Sequence, residues 1–193
     1  MAFGKKKSVE EHVEVPELSI AEAKLRLVGL SPLVTHAWSE KARKEMRDKQ
    51  MKVAKGKRDA KNPDKEYEGA RYRVDEKYDG FPAGGIKSAI VDACSFVDGI
   101  TKVSTSGGLH VNLGTFLVPI ETKNGKGPAV PKMREDVVRV GGKGKGTGTA
   151  DLRYRPEYTE WSIPITVQFN QRVITIAQIV NLLNHAGFSI GLG

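Results

Sequence analysis

The segment Gly80–Val97, GFPAGGIKSAIVDACSFV, decides how this chain folds. Phe81 precedes a proline, which pushes it out of the helical region and into extended backbone. Ala83, Gly84 and Gly85 then make a turn of small residues. From Ile86 the apolar side chains fall at Ile86, Ala89, Ile90, Ala93, Cys94 and Val97, the spacing of one buried helix face. A core helix is therefore predicted over 84–97. Lys87 and Ser88 lie in its first turn, where unpaired N–H groups and the positive end of the helix dipole favour an anion. Two readings fit this stretch: an oxyanion cradle made by Gly84, Gly85, Lys87 and Ser88, or a tight turn ahead of a core helix. The phosphate-loop spacing G-x-x-x-x-G-K-[ST] is absent.

Upstream, Ala23–Leu30 alternates apolar and polar residues and reads as a half-buried strand. Ser31-Pro32 breaks it, and Ser39 is the expected N-cap of a helix over Glu40–Lys57. The apolar content of that helix is thin: Ala42, Met46, Val53 and Ala54. From Lys41 to Lys61 there are ten basic and three acidic residues, a net +7. A helix of this kind is either a solvated insertion or a basic track for nucleic acid, with Lys41, Arg43, Lys44 and Arg47 on it. Asn62–Lys77 reads as polar chain with a Pro-Asp turn and a short edge strand at Arg71–Val74.

Downstream, Lys102–Val118 mixes β-branched residues with Gly107-Gly108 and Gly114 and reads as a hairpin, with Leu109–Leu113 as one arm. Glu121–Pro131 is an exposed loop. Met133–Val140 is weakly strand-like and runs into GGKGKGTGT, Gly141–Thr149, where Lys143 and Lys145 alternate with glycines. This tract either orders on a phosphate backbone or is a flexible hairpin tip. Asp151–Tyr158 sets Arg153 and Arg155 on one side of an extended segment, with Leu152 and Tyr154 on the other. Trp161–Asn170 turns Ile163, Ile165, Val167 and Phe169 inward, with Pro164 expected at a strand start or edge. Thr175 and Gln178 make a capping box for a helix that Gly187 ends, and a strand follows at Phe188. The end at Gly193 is abrupt for such a strand, so a final segment is expected beyond it.

The chain has 193 residues, enough for one large domain, with a formal charge of +8 and 39% apolar residues. A mean hydropathy of −0.38 means that part of the length is solvated insertion. The basic balance points to a polyanionic partner. One cysteine, Cys94, allows neither a disulfide framework nor a cysteine metal site within one chain, which fits a reducing cytoplasm. No apolar run nears the ~18 residues of a membrane span, so no membrane partner is expected. The lysine-bearing N-terminus lacks the apolar region of a secretory signal and reads as a flexible arm over 1–20. No metal constellation or nucleotide cofactor motif is visible.

Taken in order, the confident units are a strand at 23–30, a helix at 84–97, a strand or hairpin at 101–118, a strand at 161–169, a helix at 175–186 and a strand at 187–192. This is an α+β chain with a ferredoxin-like, RRM-like β-α-β-β-α-β core. A basic helical insertion occupies 31–79 and a basic Gly/Lys-rich hairpin insertion occupies 121–155, all within a single domain over 1–193. No RNP1-type run occurs and aromatic residues are 7% of the chain, so recognition of nucleic acid would be mainly of its backbone.

Residues 81–90, FPAGGIKSAI, resemble the I-P-G-S-S-I-K-G-A-hydrophobic motif of the RAMP superfamily, the RRM-like subunits of CRISPR effector complexes. Gly29-Leu30-Ser31-Pro32-Leu33 is similar to that family's G-x-[ST]-P-L turn. Ala83, Gly84 and Gly85 stand where Gly-Ser-Ser is usual, and the family's C-terminal glycine-rich loop would begin near Gly191. The resemblance implies a non-catalytic protein that coats single-stranded RNA or DNA, with protomers stacked along the strand. The style of the chain also looks like that of small phage-encoded proteins. Gly84, Gly85, Lys87 and Ser88 would cradle phosphates, the 41–58 helix would supply a track, and Lys143, Lys145, Arg153 and Arg155 would clamp the strand. One alternative is a metal-independent endoribonuclease, because His36 follows the first strand roughly where the family's processing enzymes carry a base. A structural or defence-blocking protein that binds another protein is the other.

Overall fold

Alternation along Ser162–Asn170 builds the centre of the molecule. Ile163, Ile165, Val167 and Phe169 are all buried, and the residues between them are only partly covered. The computed structural model describes residues 15–53, 60–141 and 148–192. In chain order the elements are β1 (Ile20–Val28), β2 (Leu33–Val34), α1 (Glu40–Gln50), α2 (Pro63–Gly69), β3 (Gly80–Pro82), α3 (Ala83–Ala93), α4 (Lys102–Gly108), β4 (Leu109–Val111), β5 (Leu117–Pro119), β6 (Lys132–Gly141), β7 (Gly148–Tyr158), β8 (Ser162–Asn170) and α5 (Ile176–His185). The chain is α+β.

Three small antiparallel sheets share one core: β1-β8-β4, β2-β7-β6 and β3-β5. In the first, β1 and β4 run parallel to each other with β8 between them and antiparallel to both. Helix α3 buries Ala83, Ile86, Ala89, Ile90 and Ala93, while α5 buries Ile179 and Leu182 against it. Each fully buried isoleucine of this cluster stabilises the fold by about 1.5–3 kcal/mol relative to exposure. The α5 capping box is in place: Gln178 N–H donates to Thr175 Oγ1 at 3.3 Å, and Thr175 N–H donates to Gln178 Oε1 at 2.9 Å.

Several expectations need correction. Lys102–Val118 is not a hairpin. Thr101 caps α4 by accepting from Ser104 N–H, β4 then pairs with β8, and β5 pairs with β3. Gly108 serves close packing here, since a Cβ on it would stand 2.8 Å from Val173 Cγ1. The expected last strand is a π-helical turn, Ala186–Ile190, so Gly187 does not stop α5. That stop comes at Gly191, in the left-handed region at φ 84°, whose N–H donates to Ala186 O at 2.8 Å.

The Pro-Asp turn is the start of α2, with Asn62 Oδ1 accepting from Lys65 N–H. The edge strand at 71–74 is a single bridge between Arg73 and Asp79. Helix α3 gives way at Cys94–Phe96 to one 3-10 turn. In the described part of the basic segment, α1 ends at Gln50 and Lys52 has φ 55°; residues 54–59 lie outside the description. Pro164 sits in the central strand, not on an edge. Ser162 and Thr166, of the same parity, send their N–H groups away from β1, to Glu121 O and Asn112 Oδ1. The missing N–H of Pro164 falls in the gap between them, which the short β4 does not reach, so no ladder bond is lost.

Candidate nucleic-acid interface

The chain leaving β1 is held against β7. Leu33 and Val34 pair with Tyr158 and Glu157, Thr35 N–H donates to Pro156 O at 3.2 Å, and Ala37 N–H donates to Ala70 O at 2.8 Å. This extended path brings His36 to Arg155. The two residues line one cavity of about 420 Å³ with Thr35, Tyr72, Phe81 and Pro82, the last being the cap residue of α3. The Tyr72 hydroxyl donates to His36 O at 3.4 Å.

Arg155 is weakly neutralised. Its Nη1 stands 3.7 Å from Asp136 Oδ2, and its Nε is buried with no hydrogen-bond partner among the described residues. The β6–β7 register also sets Arg155 directly opposite Arg134, whose guanidinium is held by Asp136 and Glu157 at 2.8 Å each. Two arginines facing across a ladder repel. The local field is positive, and His36 reports it: partial burial pushes its imidazole below the ordinary value of 6.5, the charges of Arg155 and Arg153 push it the same way, and Glu66 opposes them. His36 therefore carries no proton at neutral pH.

On either side of Tyr72 in sequence, Arg71 and Arg73 join an ionic cluster around a buried carboxylate. Asp79 is 1% exposed and is held by Arg71 at 2.8 Å, by Arg73 at 3.5 Å and by the Tyr158 hydroxyl, which donates at 2.7 Å. Burial, and then the neighbouring carboxylate, push the Tyr158 phenol far upward, so it stays protonated. Asp79 Oδ2 takes both the Arg71 contact and the Tyr158 hydrogen bond, while Oδ1 has no hydrogen-bond partner among the described residues.

Three residues after His36, Ser39 caps α1 by accepting from Ala42 N–H at 3.2 Å. Helix α1 buries no residue, and Arg43, Lys44 and Arg47 make no side-chain hydrogen bond or ion pair among the described residues; Lys41 also lies on this helix. The cationic helix thus starts at the His36 cavity. Between them stands Trp38, 60% exposed. Trp38 was assigned no role from the sequence, although one exposed indole beside a basic run is a stacking platform.

The glycine turn is only partly open. Ala83 N–H is taken by Phe116 O at 2.9 Å. Gly84 is exposed with nothing within 4 Å of an added Cβ, but a Cβ on Gly85 would press Phe81 Cε1 at 3.0 Å. Packing on Phe81 accounts for Gly85. Lys87 is half-buried and Ser88 exposed, one turn along α3 from the cavity. Arg153 lies 3.4 Å from Asp151 on the same hairpin face as Arg155. Lys143 and Lys145 lie outside the described residues.

Among the described residues no group of three or more His, Cys, Asp and Glu side chains is arranged to hold a metal ion, and no helix is long and apolar enough to cross a membrane. No protein-family model matches this chain, and no curated protein matches its sequence.

Proposed function

We propose that this protein binds single-stranded nucleic acid, RNA or DNA, through its phosphates, without cleaving it. The observation that carries this reading is the meeting of separate basic segments at one cavity: Arg155 from β7, with a buried Nε that lacks a partner among the described residues, His36 from the chain after β2, and α1, which starts four residues on and whose Arg43, Lys44 and Arg47 make no ion pair among the described residues. A strand laid along α1 would stack a base on Trp38 and seat a phosphate at Arg155. The open first turn of α3, with Gly84, Lys87 and Ser88, is a second phosphate contact close to the same cavity. The order β1, α3, β4, β8, α5 and the sheet order β1-β8-β4, with both helices packed together, support a ferredoxin-like core of the kind the RAMP resemblance implies. Stacking of protomers along the strand belongs to the same proposal.

Fluorescence anisotropy of a labelled oligonucleotide against salt tests it. Each phosphate contact to a single strand contributes about −0.7 to the slope of log K against log salt, so Arg43, Lys44, Arg47 and Arg155 together give a slope near −3. A flat plot removes the reading. A second reading rests on one observation, the unprotonated His36 beside a guanidinium, which is the pairing a metal-independent endoribonuclease needs in a base and its neighbouring charge. It requires that wild type cleave RNA in chelator and that His36→Ala not do so.

A further inference from the structure

Among the described residues, strand β1 stands at the edge of its sheet and pairs only with β8. Gln171 N–H donates to Ser19 O, and Gly29 N–H donates to Trp161 O, so the odd-numbered residues of this stretch face β8. The even-numbered residues, 20 to 28, turn their N–H and C=O groups to the open side. Neither proline, glycine nor bulge interrupts the nine residues. An edge of this length without such a device is a template for another strand.

We infer that the partner on this edge is a second copy of the chain, joined β1 to β1 across a two-fold axis at Ala23. The side chains select that register. With residue numbers of facing pairs summing to 46, Glu22 lies opposite the partner's Lys24, and Lys24 opposite the partner's Glu22. The even-numbered residues then exchange backbone hydrogen bonds, as an antiparallel ladder demands. At each end Leu18, 75% exposed, meets the partner's Val28, and Val28, 46% exposed, meets the partner's Leu18. Ile20 lies against the stem of the partner's Arg26, whose charge would come already paired, since within each chain Arg26 holds Glu121 and Ser162. On the other face Ala21 meets the partner's Leu25, a small residue against a large one.

Each neighbouring register sets like charges together. One sets Glu22 against the partner's Glu22, and the other sets Lys24 against the partner's Lys24 and faces Glu22 only with an Arg26 that Glu121 already holds. Lys24 makes no ion pair within its own chain among the described residues, so its charge is available to the partner. An isologous contact of this kind closes on itself, giving one six-stranded sheet from two copies. It is independent of the nucleic-acid reading, because it uses no residue of the His36 cavity or of α1.

Sedimentation equilibrium of the full chain without nucleic acid tests the inference. Wild type is expected to be a dimer. Lys24→Glu opposes two pairs of carboxylates and should weaken the dimer ~10-fold or more. The double reversal E22K/K24E restores opposite charges and should restore the dimer, with circular dichroism showing that each variant is folded. A monomeric wild type overturns the inference, and so does an undiminished K24E dimer or a folded but monomeric double variant.

Discussion

Asp79 shows how much one residue holds at this site. It is buried, faces Arg71 and Arg73, and accepts from Tyr158, so Asp79→Ala would strand a guanidinium and a phenol together. Breaking a buried pair by removing one partner costs about 3–5 kcal/mol. We expect urea unfolding to show a stability loss of that size, read as a lower midpoint at an unchanged m-value; an unchanged midpoint would show that water replaces the carboxylate. His36 gives a pH dependence with a definite sign. Its folded value is lowered by burial first and by Arg155 second, so the unfolded chain takes up the proton first as the pH falls. The stability His36 contributes is full above its ordinary value of 6.5 and is lost as the pH drops through the lower folded value. Thermal melts from pH 8 to pH 5 should fall more steeply for wild type than for His36→Asn. At Trp38 the expectation is optical: Trp161 is buried, so quenching by an added oligonucleotide reports Trp38, and Trp38→Phe should abolish most of the change.

At the scale of elements, the glycines separate packing from binding. Gly108→Ala places a methyl 2.8 Å from Val173 and should destabilise by about 1–3 kcal/mol through overpacking. Gly84→Ala meets nothing within 4 Å in a helical turn and should stabilise by about 0.5–1 kcal/mol. If phosphate approaches that turn, the same substitution lowers oligonucleotide affinity while the melting temperature rises. Helix α1 can be stripped of charge at little structural cost because it buries no side chain. Arg43→Ala with Arg47→Ala should leave the melting temperature unchanged and reduce the salt slope by about 1.4, two contacts' worth. The β6–β7 hairpin divides by parity into a charged face with Arg134, Asp136, Arg153 and Arg155 and a mixed face where Glu135 and Arg139 flank Val137, which is 72% exposed.

At the scale of the whole molecule, the sheets divide the work. The β1-β8-β4 sheet and its two helices contribute most of the apolar cluster, while β7, reaching from the second sheet, carries Arg155 to the chain that leaves β1. The proposed interface would thus be assembled from residues 36, 82 and 155, far apart in sequence. Its geometry would depend on the short β2–β7 pairing and on the Asp79–Tyr158 contact that holds the end of β7. Variants that loosen the Asp79 cluster should weaken binding even where the basic residues are intact.

Periodicity alone located β1, α3, β8 and α5, because each buries one regular face and a buried face must repeat with the period of its element. The capping box of α5, the Ser39 N-cap and the basic character of α1 are equally local and were legible. Lys102–Val118 and Phe188–Gly193 were misread because their glycines have two uses, turning the chain and allowing close approach, and only the position of Val173 or the φ of Gly191 tells which applies. The meeting of His36 with Arg155, the unpartnered Nε and the exposure of Trp38 have no local signal at all. They arise from pairing between strands more than a hundred residues apart, and distance in space is a property that no window of sequence carries.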